Sequence, residues 1–300
     1  MNTNNLPSQL NLNRRQFLAA SACSIAATLA GSAALAGAAE DRWKMRLSTS
    51  SVMFVKLPIE QFCERAAKLG FEAVDIWGPL FKCTHLDDVA TRLGGDGLKS
   101  LLAKNKLKLC AFSVYPNRYP QYAELLGASG GGVAIRGSDK ACKPEELTAR
   151  MKEFLETLKP QADLAEKHNA YLAIENHGHA LLDSVDSLKT FTDLNQNPRL
   201  GIALAPYHIQ AGKMSVEEAI AACGKQLLFF YAWQNGKGTE QLPGHGPTDF
   251  TPWLAALAKI GYTRCVNPFM HGEVEPDAME AAVAKSRQYM LDCYAKAMRS

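Results

Sequence analysis

From Met45 onward the chain repeats one pattern: a short apolar run of strand type, a polar junction, then an amphipathic helical stretch. The strand-like runs fall at 45–52, 73–77, 107–115, 131–136, 171–175, 200–205, 227–233 and 265–269. Helical periodicity falls at 58–69, 96–105, 144–168, 184–194, 216–223, 249–260 and 277–297. In the first of these, Ile59, Phe62, Ala66 and Leu69 share one face, Pro58 suits the opening turn and Gly70 the stop. Strands joined through helices pair in parallel and are buried on both faces. Eight strand-like runs, seven of them followed by a helical stretch, in about 260 residues predict an α/β fold, a single (β/α)8 TIM barrel. The competing open nucleotide-binding sheet would carry a GxGxxG turn after its first strand, and none stands there.

The N-terminus is of a different kind. Arg14 and Arg15 precede an uncharged small-residue segment, 19–39, the form of a twin-arginine export signal with cleavage-type residues at 34–38. The expected division is a leader over 1–39 and a barrel over 40–300, with the twin-arginine translocation machinery as partner and the periplasm or the medium as destination. A membrane anchor is the alternative, but Ala, Ser and Gly in place of Leu make its insertion weak. Without the two arginines the net charge is near +1, and no basic run offers a nucleic-acid footprint. The seven cysteines beyond the leader are odd in number and lack CxxC spacing, which fits neither a disulfide framework nor a zinc knuckle.

The chemistry concentrates where strands end. Tyr171-Leu172-Ala173-Ile174 passes within one residue into Glu175-Asn176-His177-Gly178-His179. In a parallel α/β protein, the C-terminal ends of buried strands carry the reactive groups. The same position on other strands supplies Trp77, Tyr115, His208, Trp233, Gln234, Asn267 and His271, with Tyr207 and His245 in following loops. Two readings of this set remain open. In one, Glu175 and His208, with one or two of His177, His179 and His271, hold a single zinc, manganese or similar ion. In the other, Glu175 and His208 act as acid and base without metal. Asn176, Gln234, His245 and Asn267 then bind hydroxyls, and Trp77, Tyr115, Tyr207 and Trp233 offer faces to a sugar ring. His168 is expected to cap its helix and His85 to lie in a loop.

Several stretches together resemble the xylose isomerase-like barrel superfamily of sugar isomerases and epimerases. They are KLGFEAVD at 68–75, AIEN at 173–176, PGHGPTDF at 243–250 and IGY at 260–262. The resemblance implies one divalent cation, held by a glutamate after strand five, an aspartate after strand six, a histidine after strand seven and a glutamate after strand eight. Glu175 matches the first. The others depart: Ala205-Pro206-Tyr207-His208 keeps only the histidine of an Asp-x-x-His pattern, strand seven ends without histidine, and strand eight presents Asn267 and Phe269. What the resemblance implies is an exported isomerase or epimerase acting on a small carbohydrate. A lyase or hydrolase of keto-glycosides and a non-catalytic sugar-binding barrel are the alternatives. Only Arg136-Gly137-Ser138 hints at a phosphate pocket.

Overall fold

The computed structural model describes residues 43–299, so the twin-arginine stretch and its cleavage region lie outside the described residues. Eight strands run β1 (Arg46–Ser50), β2 (Ala73–Trp77), β3 (Lys108–Ser113), β4 (Val133–Gly137), β5 (Tyr171–Glu175), β6 (Leu200–Leu204), β7 (Leu227–Ala232) and β8 (Cys265–Pro268). Each pairs in parallel with the next, and β8 returns to β1 through Arg46↔Cys265 and Leu47↔Val266. That last pairing removes both sheet edges. The strands close into a barrel because each is apolar enough to be buried on both faces: every residue of β2, β6, β7 and β8 is buried.

A helix follows each strand: α1 (Ile59–Lys68), α2 (Gly94–Lys104), α3 (Tyr119–Ala128), α4 (Leu147–Lys167), α5 (Val185–Leu194), α6 (Val216–Cys223), α7 (Thr251–Lys259) and α8 (Pro276–Ala297). Each lays an apolar stripe on the barrel; in α1 the stripe is Ile59, Phe62, Cys63 and Ala66. Start signals are local. Ser184 accepts the Ser187 amide at 3.2 Å to begin α5, and Ser215 accepts the Glu218 amide at 3.1 Å to begin α6. His168 follows the last residue of α4, its amide bonded to the Leu164 carbonyl. Among the described residues no helix is long and apolar enough to cross a membrane, and seven cysteines are free.

Three expectations from sequence need correction. No helix is expected between the third and fourth strands, yet α3 is there, burying Tyr119, Tyr122, Ala123 and Leu126 at helical spacing with Pro120 in its first turn. The first strand is shorter than 45–52, because Ser51–Phe54 turns into a 3-10 helix. His85 is not in a loop: it opens the short helix His85–Asp88, is buried, stacks on Phe62 and lies 2.7 Å from the Leu57 carbonyl through Nε2.

Gly201 on β6 shows how tightly the barrel wall closes. A Cβ there would stand 2.3 Å from the Gln226 carbonyl oxygen and 2.6 Å from Leu228. Backbone cannot yield as a side chain does. Gly201→Ala is therefore expected to cost about 1–3 kcal/mol of stability, read as a lower midpoint in urea unfolding, and an unchanged midpoint would contradict this packing.

Candidate active site

Two buried carboxyl groups stand inside the upper barrel. Asp75 follows a register shift between β2 and β3 at Val74/Asp75, the kind of irregularity that re-aims a side chain. Its Oδ2 accepts the Ser50 hydroxyl at 2.6 Å and the Trp77 indole N–H at 2.6 Å, and its Oδ1 accepts the Ser113 hydroxyl at 2.9 Å. Burial disfavours the charged form and pushes the carboxyl up to about 7, against the pull of the three donors. Glu175 ends β5, and its Oε2 accepts the Tyr115 hydroxyl at 2.6 Å. Burial raises this group too, to about 7, with the Tyr115 hydrogen bond opposing and the Asp75 charge adding to the rise.

Tyr231 of β7 joins the two. Its hydroxyl lies 3.2 Å from Ser113 Oγ and 3.4 Å from the Tyr115 hydroxyl. An unbroken run of side-chain oxygens thus links Asp75, Ser113, Tyr231, Tyr115 and Glu175. Asn267 on β8 extends it, donating to Ser50 Oγ at 2.7 Å and accepting from the Ser48 hydroxyl at 3.1 Å.

Over this polar floor stands an aromatic wall. Trp77 lies 5.1 Å from Tyr115 and stacks on Phe269 at 5.4 Å, while Trp233 stacks on Tyr207 at 4.4 Å. His208 and His271 both meet Trp233 edge-on, at 5.3 and 4.8 Å between ring centres. His177 packs against His208 at 4.0 Å. Burial, and then the neighbouring imidazoles, hold His208 down to about 3; burial and His177 hold His271 to about 4. Both are neutral near pH 7. His208 Nε2 and His271 Nδ1 are buried without a hydrogen-bond partner, and such atoms are rare unless something else meets them.

The structure divides the residues singled out from sequence. Glu175, Tyr115, Trp77, Tyr207, Trp233, His177, His208 and His271 form one connected cluster at the strand ends, through one hydrogen bond and a run of ring contacts; this end of the barrel is its mouth. Asn176 is engaged by Ala205, accepting its amide at 2.6 Å and donating to its carbonyl at 3.2 Å, which ties the end of β5 to that of β6. Gln234 donates to the Leu242 carbonyl and accepts the Thr248 amide, holding the glycine-rich loop. His245 Nε2 is 3.0 Å from the Ala282 carbonyl on α8. His179 is exposed, with its backbone in the left-handed region. Arg136 bonds to the Gly137 carbonyl and to Gln161, so the hinted phosphate position is taken up by protein contacts. Asp75, Ser113, Tyr231 and Phe269 belong to the site but were not singled out; the one local signal is an acid within the apolar run Ala73-Val74-Asp75-Ile76-Trp77.

The cation implied by the superfamily resemblance does not fit this donor set. At the end of β6 the expected carboxylate is Ala205, bonded to Asn176; after β7 stand Trp233 and Gln234; on and after β8 stand Asn267, bound to serines, and Phe269. Among the described residues no three His, Cys, Asp or Glu side chains are grouped so as to share an ion, and that includes Glu175, His177, His179, His208 and His271.

The family model described as xylose isomerase-like TIM barrel matches residues 63–293. Among solved structures, 3-keto-D-glucoside 4-epimerase from E. coli in its apo form is 15% identical, over 82% of this chain and 100% of that one, with a TM-score of 0.65. The IolI protein with a bound zinc atom is 18% identical, over 84% and 99%, with a TM-score of 0.65. D-psicose 3-epimerase with D-tagatose, from Clostridium cellulolyticum H10, is 16% identical, over 85% and 99%, with a TM-score of 0.63. At these identities the likeness is one of fold. No curated protein matches the chain in sequence.

The raised carboxyls have a thermodynamic signature. Asp75 binds its proton more tightly folded than unfolded, so its contribution to stability is complete below about pH 4 and is lost as pH rises through about 7. The stability difference between wild type and Asp75→Asn should fall across that window by up to about 1.4 kcal/mol per pH unit. Urea unfolding from pH 4.5 to 8 measures it, and a difference independent of pH would count against the shifted carboxyl.

Proposed function

The chain belongs to the xylose isomerase-like TIM barrel family, and from that premise we propose that it is a carbohydrate isomerase or epimerase that moves a proton beside a carbonyl, with Glu175 as base. The observation that carries this reading is one mouth combining a buried carboxyl poised near neutrality, an aromatic wall and two unpartnered imidazole nitrogens. Each answers one need of the reaction. Trp77, Phe269 and Trp233 give the C–H face of a sugar ring an apolar surface and exclude water. A neutral imidazole carrying its proton on His208 Nε2 or His271 Nδ1 donates to the substrate carbonyl oxygen and stabilises negative charge growing there.

Tyr115 fixes one oxygen of Glu175, which leaves the other to take a proton from the carbon next to the carbonyl. Returned to the former carbonyl carbon, while the hydroxyl on the adjacent carbon gives its proton back to the imidazole and becomes the new carbonyl, that proton completes an isomerisation. Removal of the same proton also opens elimination from an oxidised glycoside, so product analysis separates isomerase from lyase. The nearly uncharged mouth favours a neutral sugar over a sugar phosphate. The reading includes export: Arg14, Arg15 and the small-residue segment 19–39 support delivery by the twin-arginine machinery to the periplasm or the medium.

Turnover of a panel of keto- and aldo-sugars by purified mature protein, with elemental analysis and with and without chelator, tests the proposal. Glu175→Gln is expected to lower kcat by about 10²–10⁴-fold while sugar binding persists. In the wild type, kcat/KM is expected to rise with pH through about 7, as Glu175 loses its proton. Unchanged turnover in Glu175→Gln would remove that residue from the chemistry, and binding without any turnover would leave a sugar-binding barrel. A stoichiometric divalent ion, lost in Glu175→Gln and in His208→Ala, would restore the metal-assisted reading.

A further inference from the structure

Against the aromatic cluster at the strand ends lies a cavity of about 440 Å³, lined by Val52, Val55, Phe81, Lys82, Met270 and His271 together with Gly272 and Glu273. Its size is within the ~300–1,000 Å³ typical of small-molecule sites. His271 belongs both to that cluster and to the cavity lining. The His271 ring stands 4.5 Å from Phe81 on the cavity side and 4.8 Å from Trp233 on the mouth side, with Trp77 5.8 Å away. Its Nδ1 is buried and unpartnered.

Phe81 has two features that packing alone does not explain. It is 49% exposed, and with Leu80 beside it makes up the exposed large hydrophobics of the described residues. Its backbone is also in the left-handed region, φ 53°, as is that of Lys82, φ 59°. Non-glycine residues pay for that conformation, and such strain collects at ligand clamps. The outcome here is a phenyl ring presented at the lip of a cavity, with Trp77 6.4 Å behind it. Lys82 and Glu273, 3.7 Å apart, form an ion pair within the same lining.

We infer that this cavity is a subsite for the second ring of a glycoside: one sugar occupies the mouth, and a ring-shaped aglycone lies in the adjoining cavity with Phe81 against its face. The inference rests on the carbohydrate reading and deepens it, since it makes the substrate a glycoside rather than a free monosaccharide. The wall between the subsites, His271, then stands beside the glycosidic linkage. The apolar part of the lining, Val52, Val55, Phe81 and Met270, suits the face of a planar or weakly polar ring, while the Lys82–Glu273 pair meets its edge.

Calorimetric titration of the mature protein with matched methyl and phenyl β-glycosides of D-glucose, D-galactose and D-xylose tests this. The expected result is a phenyl glycoside bound about 10-fold tighter than its methyl partner, the worth of one aromatic contact. In Phe81→Ala that ratio should collapse towards unity, in Phe81→Trp it should persist, and in Trp233→Ala both glycosides should weaken together. Circular dichroism confirms that each variant is folded. Equal affinity for the methyl and phenyl partners, or a preference that survives in Phe81→Ala, overturns the subsite and leaves the carbohydrate reading standing. No binding of any glycoside overturns the carbohydrate reading, and the subsite with it.

Discussion

The Asp75 carboxyl, held by Ser50, Ser113 and Trp77, is the contact on which the upper barrel depends. A carboxyl enclosed by strands is tolerated only when its oxygens are fully hydrogen-bonded or its proton is retained. Three donors meet the first condition and burial favours the second, and meeting them draws in neighbours from around the ring. Ser50 comes from β1, Ser113 from β3, Tyr231 from β7 and Asn267 from β8, while Glu175 enters through Tyr115 from β5. Where a barrel of this kind usually fills its interior with branched aliphatic side chains, this one carries a polar layer. Its members have fixed partners, so their positions are specified by bonding as well as by volume.

One physical cause sets the chemistry of the mouth. Desolvation penalises charge of either sign, so it raises the two carboxyls to about 7 and depresses His208 and His271 to about 3 and 4. The aromatic wall that excludes water is thus also what sets the protonation states. Aromatic and amide side chains stand where the family resemblance implies metal ligands. Glu175 keeps the family position and acquires a different partner, a tyrosine hydroxyl.

The strand ends were legible because the switch from apolar run to polar junction is local and repeats eight times. The helix at Tyr119–Ala128 was not, since Pro120, Gln121, Glu124 and Gly127 interrupt a stripe that only the barrel surface completes. Asp75 illustrates a deeper limit. Of its partners only Trp77 is near in sequence; Ser50 and Ser113 lie 25 and 38 residues away, and Tyr115 meets Glu175 across 60, so no window of sequence contains the site. Asn176, Gln234 and His245 show the converse. Sequence correctly marks them as polar groups at strand ends, but the bonds they make are to backbone, and residue type alone does not tell a hydroxyl-reading amide from one that ties a loop.

The left-handed pair at Phe81 and Lys82 has a consequence for how this surface can change over time. A backbone conformation already unfavourable for a side chain is one that glycine or asparagine adopts at lower cost. Substitution there gains local stability while removing the ring from the cavity's lip. The segment is therefore a place where drift and ligand preference pull in opposite directions, and descendants that no longer need the second ring are free to relax.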